Sequence, residues 1–102
     1  MPLGYVVYKI TFPNGKIYIG KDVGGLGHSL PYFGSWNHAL VEADLTEEQQ
    51  RDFTLRKEIL FESNSKAEVS AMESRLIVEL RANNAEIGYN QTHRAIVSRV
   101  WD

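Results

Sequence analysis

The sequence contains no cysteine and only three prolines among its 102 residues. The absence of cysteine excludes disulfides, thiolate zinc sites and cysteine nucleophiles. The longest unbroken apolar run is Tyr5–Tyr8, far shorter than the about 20 residues of a membrane-spanning helix, so we expect no membrane partner. The first residues also lack the basic start and apolar stretch of a secretory signal. We therefore expect an intracellular, cytoplasmic protein.

The composition fits one folded domain over residues 1–102, with 43% hydrophobic and 24% charged residues. The net charge of −2 lacks the basic excess that is typical of nucleic-acid-binding proteins. The charges are unevenly distributed, because residues 1–21 carry three lysines and no acid, whereas acids gather over residues 42–48. The basic end can hold a phosphate, but it is too small to bind a long duplex tightly.

Several common catalytic motifs are missing. The three histidines, His28, His38 and His93, do not have the spacing of a helical zinc site. The glycine-rich stretch 20–27 lacks the Gly-Lys-Ser/Thr ending of a nucleotide-binding loop, and no Gly-x-Ser-x-Gly elbow is present. These absences disfavour a zinc hydrolase, a Walker-type nucleotide site and a serine hydrolase.

The N-terminal part predicts a β-hairpin, because Tyr5–Phe12 and Ile17–Gly20 are rich in aromatic and β-branched residues. A two-residue Asn-Gly loop would place Tyr8 and Tyr18 on opposite faces. We prefer a three-residue loop, because Pro13 suits the second position of a type I turn and is poor in a paired position. This loop makes the two tyrosines diagonal neighbours on one face. Its strand pairs are Phe12–Lys16, Ile10–Tyr18 and Tyr8–Gly20.

The rest of the chain predicts helices around a third strand. The elements are a loop over 21–35, a short helix Trp36–Val41, a capped turn after Thr46, a strand Phe53–Phe61 and a long helix from Ser65 to about Asn83. The apolar stripe of the long helix comprises Val69, Met72, Leu76, Ile77 and Leu80. The tail Ala95–Trp101 fits either a strand or a helix. The order β-β-α-β-α predicts an α+β domain.

Glu73 is the first candidate functional residue, because it lies on or beside the apolar stripe of the long helix. A buried carboxylate needs a cation, a metal ion or a displaced pKa. The ordinary alternative is an edge position where Glu73 pairs with Arg56, Lys57 or Arg75.

The pair Tyr8 and Tyr18, beside Lys16 and Lys21, is the second candidate site. Phenols and ammonium groups at the end of a hairpin can position a water molecule and bind a phosphate oxygen. The ordinary alternative is that the tyrosines pack in the core and the lysines are solvated.

Four segments resemble the motifs of the GIY-YIG nuclease superfamily. They are Val6-Val7-Tyr8, Tyr18-Ile19-Gly20, Glu73–Leu80 and Gly88-Tyr89-Asn90. Likeness to the phage and homing-endonuclease branch extends to Ile19-Gly20-Lys21, Tyr32–Ser35 and Phe53–Leu60. The resemblance covers residues 5–92. It implies a small α+β domain with a three-stranded antiparallel sheet flanked by helices. Relatives that recognise long sites usually add a separate DNA-binding region, which we do not expect in this chain.

The resemblance implies a DNA endonuclease that hydrolyses phosphodiester bonds by attack of water, with Mg²⁺ or Mn²⁺ as cofactor. Glu73 would be the only protein ligand of the metal ion, which keeps its waters. Tyr8 would orient or deprotonate the attacking water, with Tyr18 beside it. A free phenol is a poor base, so a nearby cation would be needed. Asn90 would hold the geometry of the site.

The sequence departs from the superfamily pattern at two places. Val6 occupies the usual position of a glycine, and residues 22–50 contain no arginine, although the superfamily carries one after the second motif. Lys21 is our first substitute for that arginine and His28 the second, while His38 is an outside candidate for a base. The remaining cations that we expect to bind DNA phosphates are Lys9, Lys16 and Arg56.

These departures leave a second hypothesis, a catalytically degenerate domain that binds DNA or a protein without cutting. Retention of both tyrosines, Glu73 and Asn90 favours the enzyme. We expect the single chain to have low intrinsic sequence specificity. Any specificity for a DNA sequence would then come from a homodimer or a partner protein.

Overall fold

The computed structural model describes residues 4–24, 34 and 36–91 of the chain. The strands are β1 (Tyr5–Thr11), β2 (Ile17–Asp22) and β3 (Arg56–Ser63), and the helices are α1 (His38–Asp44), α2 (Glu47–Arg51) and α3 (Lys66–Glu79). The strands form one antiparallel sheet in the order β2-β1-β3. The predicted α+β class with a three-stranded antiparallel sheet is thus confirmed. Among the described residues, no helix has the length and apolar character to cross a membrane.

The hairpin between β1 and β2 has the predicted three-residue loop. Phe12 N donates to Lys16 O at 2.9 Å, and Gly15 N donates to Phe12 O at 2.8 Å. Gly15 has a φ of 87°, a conformation that glycine adopts without strain. The Asn14 side chain accepts from Lys16 N at 3.0 Å and stabilises the turn. The strand pairs Ile10–Tyr18 and Tyr8–Gly20 follow from this loop.

The central strand β1 is buried on both sides of the sheet, which explains its unbroken apolar run. Alternate residues enter two clusters. The first contains Val6, Tyr8, Ile10, Phe12, Trp36, Val41, Leu45 and Tyr89, with Tyr18 packed against it, and we call this side the tyrosine face. The second contains Val7, Ile19, Val69, Ile77 and Ala82, and we call this side the helix face, because α3 packs there.

Strand β3 begins later than predicted, at Arg56 rather than Phe53. Arg56 pairs with Thr11, the last residue of β1, so the chain before Arg56 has no neighbouring strand to pair with. Phe53 is accordingly 46% exposed. A bulge follows, because Val7 faces Phe61 and Tyr8 faces Ile59. Leu60 is the extra residue, and it is partly exposed.

The N-cap residues determine where the two short helices begin. Helix α1 begins two residues later than predicted, because the Asn37 side chain accepts from Leu40 N at 3.0 Å and makes Asn37 the N-cap. Trp36 therefore lies before the helix, where it is buried. The predicted capping box at Thr46 is confirmed, with reciprocal bonds to Gln49.

Helix α3 begins after Ser65 as predicted, but ends before Asn83. Arg81 adopts a φ of 58°, and two bonds close a Schellman motif: Arg81 N donates to Val78 O at 3.2 Å, and Ala82 N donates to Ile77 O at 3.0 Å. Ala82 and Ile77 pack together in the core. The expectation that Leu80 belongs to the apolar stripe is wrong, because this residue is the C-cap and is 38% exposed.

The segment after α3 returns to β2 and covers the outer edge of the sheet. Ile17 N donates to Ile87 O at 3.0 Å, and Tyr89 N donates to Ile17 O at 2.9 Å. The Asn90 side chain then pairs with the backbone of Ile19, as a neighbouring strand would. Its Oδ1 accepts from Ile19 N at 2.8 Å, and its Nδ2 donates to Ile19 O at 2.7 Å. Both bonds are buried, so Asn90 fixes the fourth sequence motif to the second.

We predict that Asn90→Ala lowers the free energy of unfolding by about 2–4 kcal/mol, because it leaves the N–H and C=O of Ile19 buried without these partners. Urea unfolding of this variant, with Gln91→Ala as an exposed neighbouring control, measures the loss. Equal stability of the two variants would contradict this role of Asn90.

Asn90→Asp tests the donor separately, because a carboxylate can accept from Ile19 N but cannot donate to Ile19 O. Burial against a carbonyl favours the protonated form, so the pKa of the new carboxyl should lie above its unfolded value of about 3.9. The variant should then lose stability relative to wild type as the pH rises from 4 to 8. The same stability difference at both pH values would exclude this explanation.

Candidate functional site

Tyr8 and Tyr18 lie together on the tyrosine face, as the hairpin register predicts. Tyr8 pairs with Gly20 on β2, and Tyr18 lies two residues away as a diagonal neighbour. Gly34 approaches both rings, since a β-carbon on it would lie 2.5 Å from Tyr8 Oη and 2.9 Å from Tyr18 Cε2. Gly34 has a φ of 112°. Two phenols and a glycine backbone therefore share one small region.

Tyr8 is enclosed more completely than Tyr18. Its exposed fraction is 1%, whereas Tyr18 is partly exposed. The Tyr8 ring lies across Gly20, where any β-carbon would clash with Oη and Cζ. Packing therefore requires a glycine at position 20 of the second motif, because a side chain there would displace Tyr8 of the first motif.

Lys57, which the sequence analysis did not connect with the tyrosines, lies beside Tyr8. Lys57 Nζ is 4.6 Å from the centroid of the Tyr8 ring, within the range of a cation–π contact. Burial lowers the pKa of the Lys57 ammonium group, and the negative charge of Asp22 opposes that shift. Asp22 is only 4% exposed and accepts from Gly24 N at 2.9 Å. A cation and a buried carboxylate therefore accompany the phenols on this face.

Glu73 lies in the middle of the packing side of α3. It is four residues from Val69 and four from Ile77, which are 0% and 3% exposed, and it is itself partly buried. The predicted position on the stripe is confirmed. Arg75 pairs with Glu79 at 2.7 Å on its own helix. Glu73 thus belongs to the helix that covers the helix face, whereas the rings of Tyr8 and Tyr18 lie on the other face of the sheet.

Glu73 fits the proposed metal ion in the chemistry of its donor. A carboxylate supplies the hard oxygen that Mg²⁺ and Mn²⁺ prefer, and Mg²⁺ commonly binds through one carboxylate while keeping several waters. Within residues 4–24, 34 and 36–91, no group of three or more histidine, aspartate or glutamate side chains is arranged to hold a metal ion. A site built on these residues would therefore depend on few protein ligands.

The other predicted cations are distributed over several surfaces. Lys21 Nζ donates to Ser70 Oγ of α3 at 2.7 Å, so this lysine belongs to the helix face. Lys9 and Arg56 both pair with Glu58, at 3.1 and 3.5 Å. The structure does not bring Lys21 to the tyrosines, and His28 lies outside the described residues.

Lys16 belongs to a network at the tip of the hairpin. Its Nζ donates to Asp44 Oδ2 at 2.6 Å and to Ala85 O at 3.0 Å. Tyr89 Oη donates to the same Asp44 oxygen at 2.7 Å and accepts from Asn14 Nδ2 at 2.8 Å. The network joins the turn, α1 and the fourth motif. Lys16, predicted to bind DNA phosphates, thus has a structural role.

The pKa shifts follow from this network. The hydrogen bonds from Lys16 and then Tyr89 hold the pKa of Asp44 below its ordinary value. Burial raises the pKa of Tyr89 to about 12, with a further contribution from the neighbouring Asp44 carboxylate. Tyr89 therefore stays protonated as a donor over the physiological pH range.

A groove of about 510 Å³ lies between α1, α2 and the chain before β3. Trp36 and Phe53 contribute to its apolar lining, and His38 lines it beside Trp36, at a ring distance of 5.1 Å. Trp36 also packs edge-on against Tyr18 at 5.8 Å. His38, the outside candidate for a base, thus lies at this groove, and Tyr8 and Tyr18 are not among the residues that line it.

No protein-family model, curated protein or solved structure matches this chain. The function that the four motifs suggest is therefore a proposal.

Sequence reasoning identified the tyrosines, Glu73 and Asn90, but did not connect Lys57 with Tyr8 or Asp44 with Tyr89. The sequence placed Lys57 on the third strand. Its contact with Tyr8, however, depends on the register between β1 and β3, which the sequence does not specify. Asp44 stands in an acidic stretch that looked like a solvated surface, and its partners are distant in sequence.

We predict that Asp44→Asn lowers the stability at pH 7 by about 0.5–1 kcal/mol, the range for a charged pair near the surface. The folded-state pKa of Asp44 lies below its unfolded value of 3.8, so its contribution is present above pH 3.8 and is lost as the pH falls through the folded value. The difference between wild type and variant should therefore shrink at pH 2–3. Urea unfolding at both pH values measures it, with Asp52→Asn as a control, and an unchanged difference would contradict the assignment.

Proposed function

We propose that this protein is a metal-dependent DNA endonuclease of the GIY-YIG type, which hydrolyses phosphodiester bonds by attack of water. The observation that carries the proposal is the convergence of the four resembling segments on β2. The first motif pairs with it through Tyr8 and Gly20, and Asn90 binds the backbone of Ile19. The helix that carries Glu73 packs on Ile19 from the other side. Ile19 and Asn90, which are 71 positions apart, thus meet at one strand.

In the proposed enzyme, Glu73 would hold Mg²⁺ or Mn²⁺, which supplies positive charge at the phosphate and activates a water molecule. Tyr18 is the more exposed phenol, so its hydroxyl can hydrogen-bond a water or a phosphate oxygen. Tyr8 is held by Gly20 and Gly34 with its ring fixed against the sheet. Asn90 maintains the strand that carries Tyr18, and its role is that of a positioning residue.

The burial of Tyr8 favours a second function, a catalytically degenerate domain that binds DNA or a protein. A phenol with 1% exposure in an apolar cluster is well placed for packing. In the described part of the chain after β2, no arginine lies before Arg51. Under this alternative, Tyr8 is a core residue, and the surface that includes Tyr18 binds a partner without cutting it.

A plasmid-nicking assay with Mg²⁺ and with Mn²⁺ separates the two functions. We predict metal-dependent nicking by wild type and a loss of at least about 100-fold in Glu73→Gln, because the carboxylate that holds the metal ion is removed. Glu79→Gln is the matched control, since it makes the same change on the same helix at an exposed site paired with Arg75. It should retain activity within about 2-fold.

Tyr18→Phe should also lower the nicking rate, by about 10–100-fold, because it removes a hydroxyl but keeps the ring. Equal nicking by wild type and Glu73→Gln would indicate a contaminating nuclease or a different site. No nicking by wild type with either metal ion would reject the endonuclease and support the binding module.

A further inference from the structure

The position of Lys57 is determined by the pairing between β1 and β3. Lys57 faces Ile10 across the strands, so its side chain rises on the tyrosine face. From there it reaches back to Tyr8, where Nζ lies 4.6 Å from the ring centroid. Lys57 is partly buried and therefore retains contact with solvent. An ammonium group is thus held over the ring of Tyr8, on a side chain that is in contact with solvent.

Hydrolysis of a phosphodiester increases the negative charge on the phosphate oxygens, and a fixed cation at that place stabilises it. Lys9, Lys16 and Lys21 have their Nζ atoms bound to Glu58, Asp44 and Ser70. The contact of Lys16 lies at the hairpin tip beside Tyr89, and those of Lys9 and Lys21 involve β3 and α3. Lys57 is therefore the lysine that places a positive charge beside Tyr8.

We propose that Lys57 is the phosphate-binding cation of the tyrosine face, where its ammonium group contacts a non-bridging oxygen of the DNA backbone. This proposal rests on the proposed endonuclease function and names a residue of the same site. The aromatic ring below the ammonium group limits its positions, so less freedom is lost when a phosphate binds. Tyr18, the more exposed phenol, lies on the same face as the diagonal neighbour of Tyr8.

The negative charge of Asp22 favours the protonated form of Lys57. Burial alone favours the neutral amine, and the negative charge of Asp22 opposes this effect. Asp22 is itself buried near the end of β2 and is bound to the backbone N–H of Gly24. The carboxylate therefore supports the charge of Lys57 from within the protein, and the partly buried side chain keeps contact with solvent.

Two variants of Lys57 and one control test the proposal. Lys57→Met removes the charge and keeps most of the stem, and Lys57→Arg keeps the charge. Lys66→Met is the matched control, because Lys66 Nζ also lies over a tyrosine, 5.6 Å from the ring centroid of Tyr5. The nicking assay should show a fall in kcat of about 100-fold for Lys57→Met and less than about 10-fold for Lys57→Arg. Lys66→Met should remain within about 2-fold.

DNA binding supplies a readout that does not depend on cutting. The affinity for a short duplex is measured in metal-free buffer at several salt concentrations. Each phosphate contact contributes about 0.9 to the slope of log K against log salt, so Lys57→Met should reduce that slope by about 0.9. Lys57→Arg and Lys66→Met should leave it unchanged. If Lys57→Met does not fold by circular dichroism, Lys57→Gln replaces it.

The outcomes distinguish the two proposals. Loss of kcat and of slope in Lys57→Met, with rescue by Lys57→Arg, supports the assignment. A Lys57→Met variant that behaves like Lys66→Met overturns it, as does equal loss in Lys57→Met and Lys57→Arg, which would indicate packing alone. If wild type does not nick DNA, the endonuclease proposal fails, and the salt slope alone supports or overturns the phosphate contact of Lys57.

Discussion

The outer edge of β2 depends on the side chain of Asn90. An edge strand exposes backbone groups that must bind water or another chain, and here the segment after α3 covers them. The backbone of Ile17 bonds to residues 87 and 89, and the amide of Asn90 then satisfies both groups of Ile19. An amide side chain can do this because it presents an N–H donor and a C=O acceptor side by side in one plane, like a peptide group. The last described segment thereby completes the sheet that the first 22 residues begin.

This closure also fixes the two sides of the sheet relative to each other. Ile19 has its backbone bound to Asn90 and its side chain packed against α3, while its neighbour Tyr18 packs on the other side. The positions of Tyr18 and of the helix that bears Glu73 are therefore defined by consecutive residues of one strand. A shift of β2 by one residue would exchange the faces of Ile19 and Tyr18. Any function that needs the phenols and the carboxylate together requires this register.

The features that sequence predicted correctly are those decided within a few residues. Pro13 determined the loop length and so the faces of Tyr8 and Tyr18, and Thr46 and Ser65 marked helix starts through their side-chain caps. Helix α3 shows the limit of this reasoning. Its end at Leu80 depends on Arg81 entering the left-handed region, which a sequence signals clearly only when a glycine is present.

The features that sequence missed depend on distant pairing. The contact of Lys57 with Tyr8 requires β3 to lie beside β1 with a bulge opposite Val7 and Tyr8, and neither the partner nor the bulge has a local signal. The bond between Asp44 and Tyr89 joins residues 45 positions apart. The sequence offered Lys57 only as a possible partner of Glu73 and Asp44 only as part of an acidic stretch, whereas the fold gives each charge a tyrosine as a neighbour.

The two phenols of the tyrosine face differ in how they are held, and this difference bears on the proposed chemistry. Tyr8 lies between two glycine backbones, at Gly20 and Gly34, so its position is fixed by main chain that cannot change rotamer. Tyr18 packs against the edge of Trp36 and remains partly exposed. In the proposed enzyme, Tyr18 is therefore the phenol that meets water and substrate, and Tyr8 is the rigid surface over which Lys57 is positioned. Catalysis on this face would then depend on charge placement, because a hydrogen bond to phosphate stabilises the transition state only if its donor is already in position.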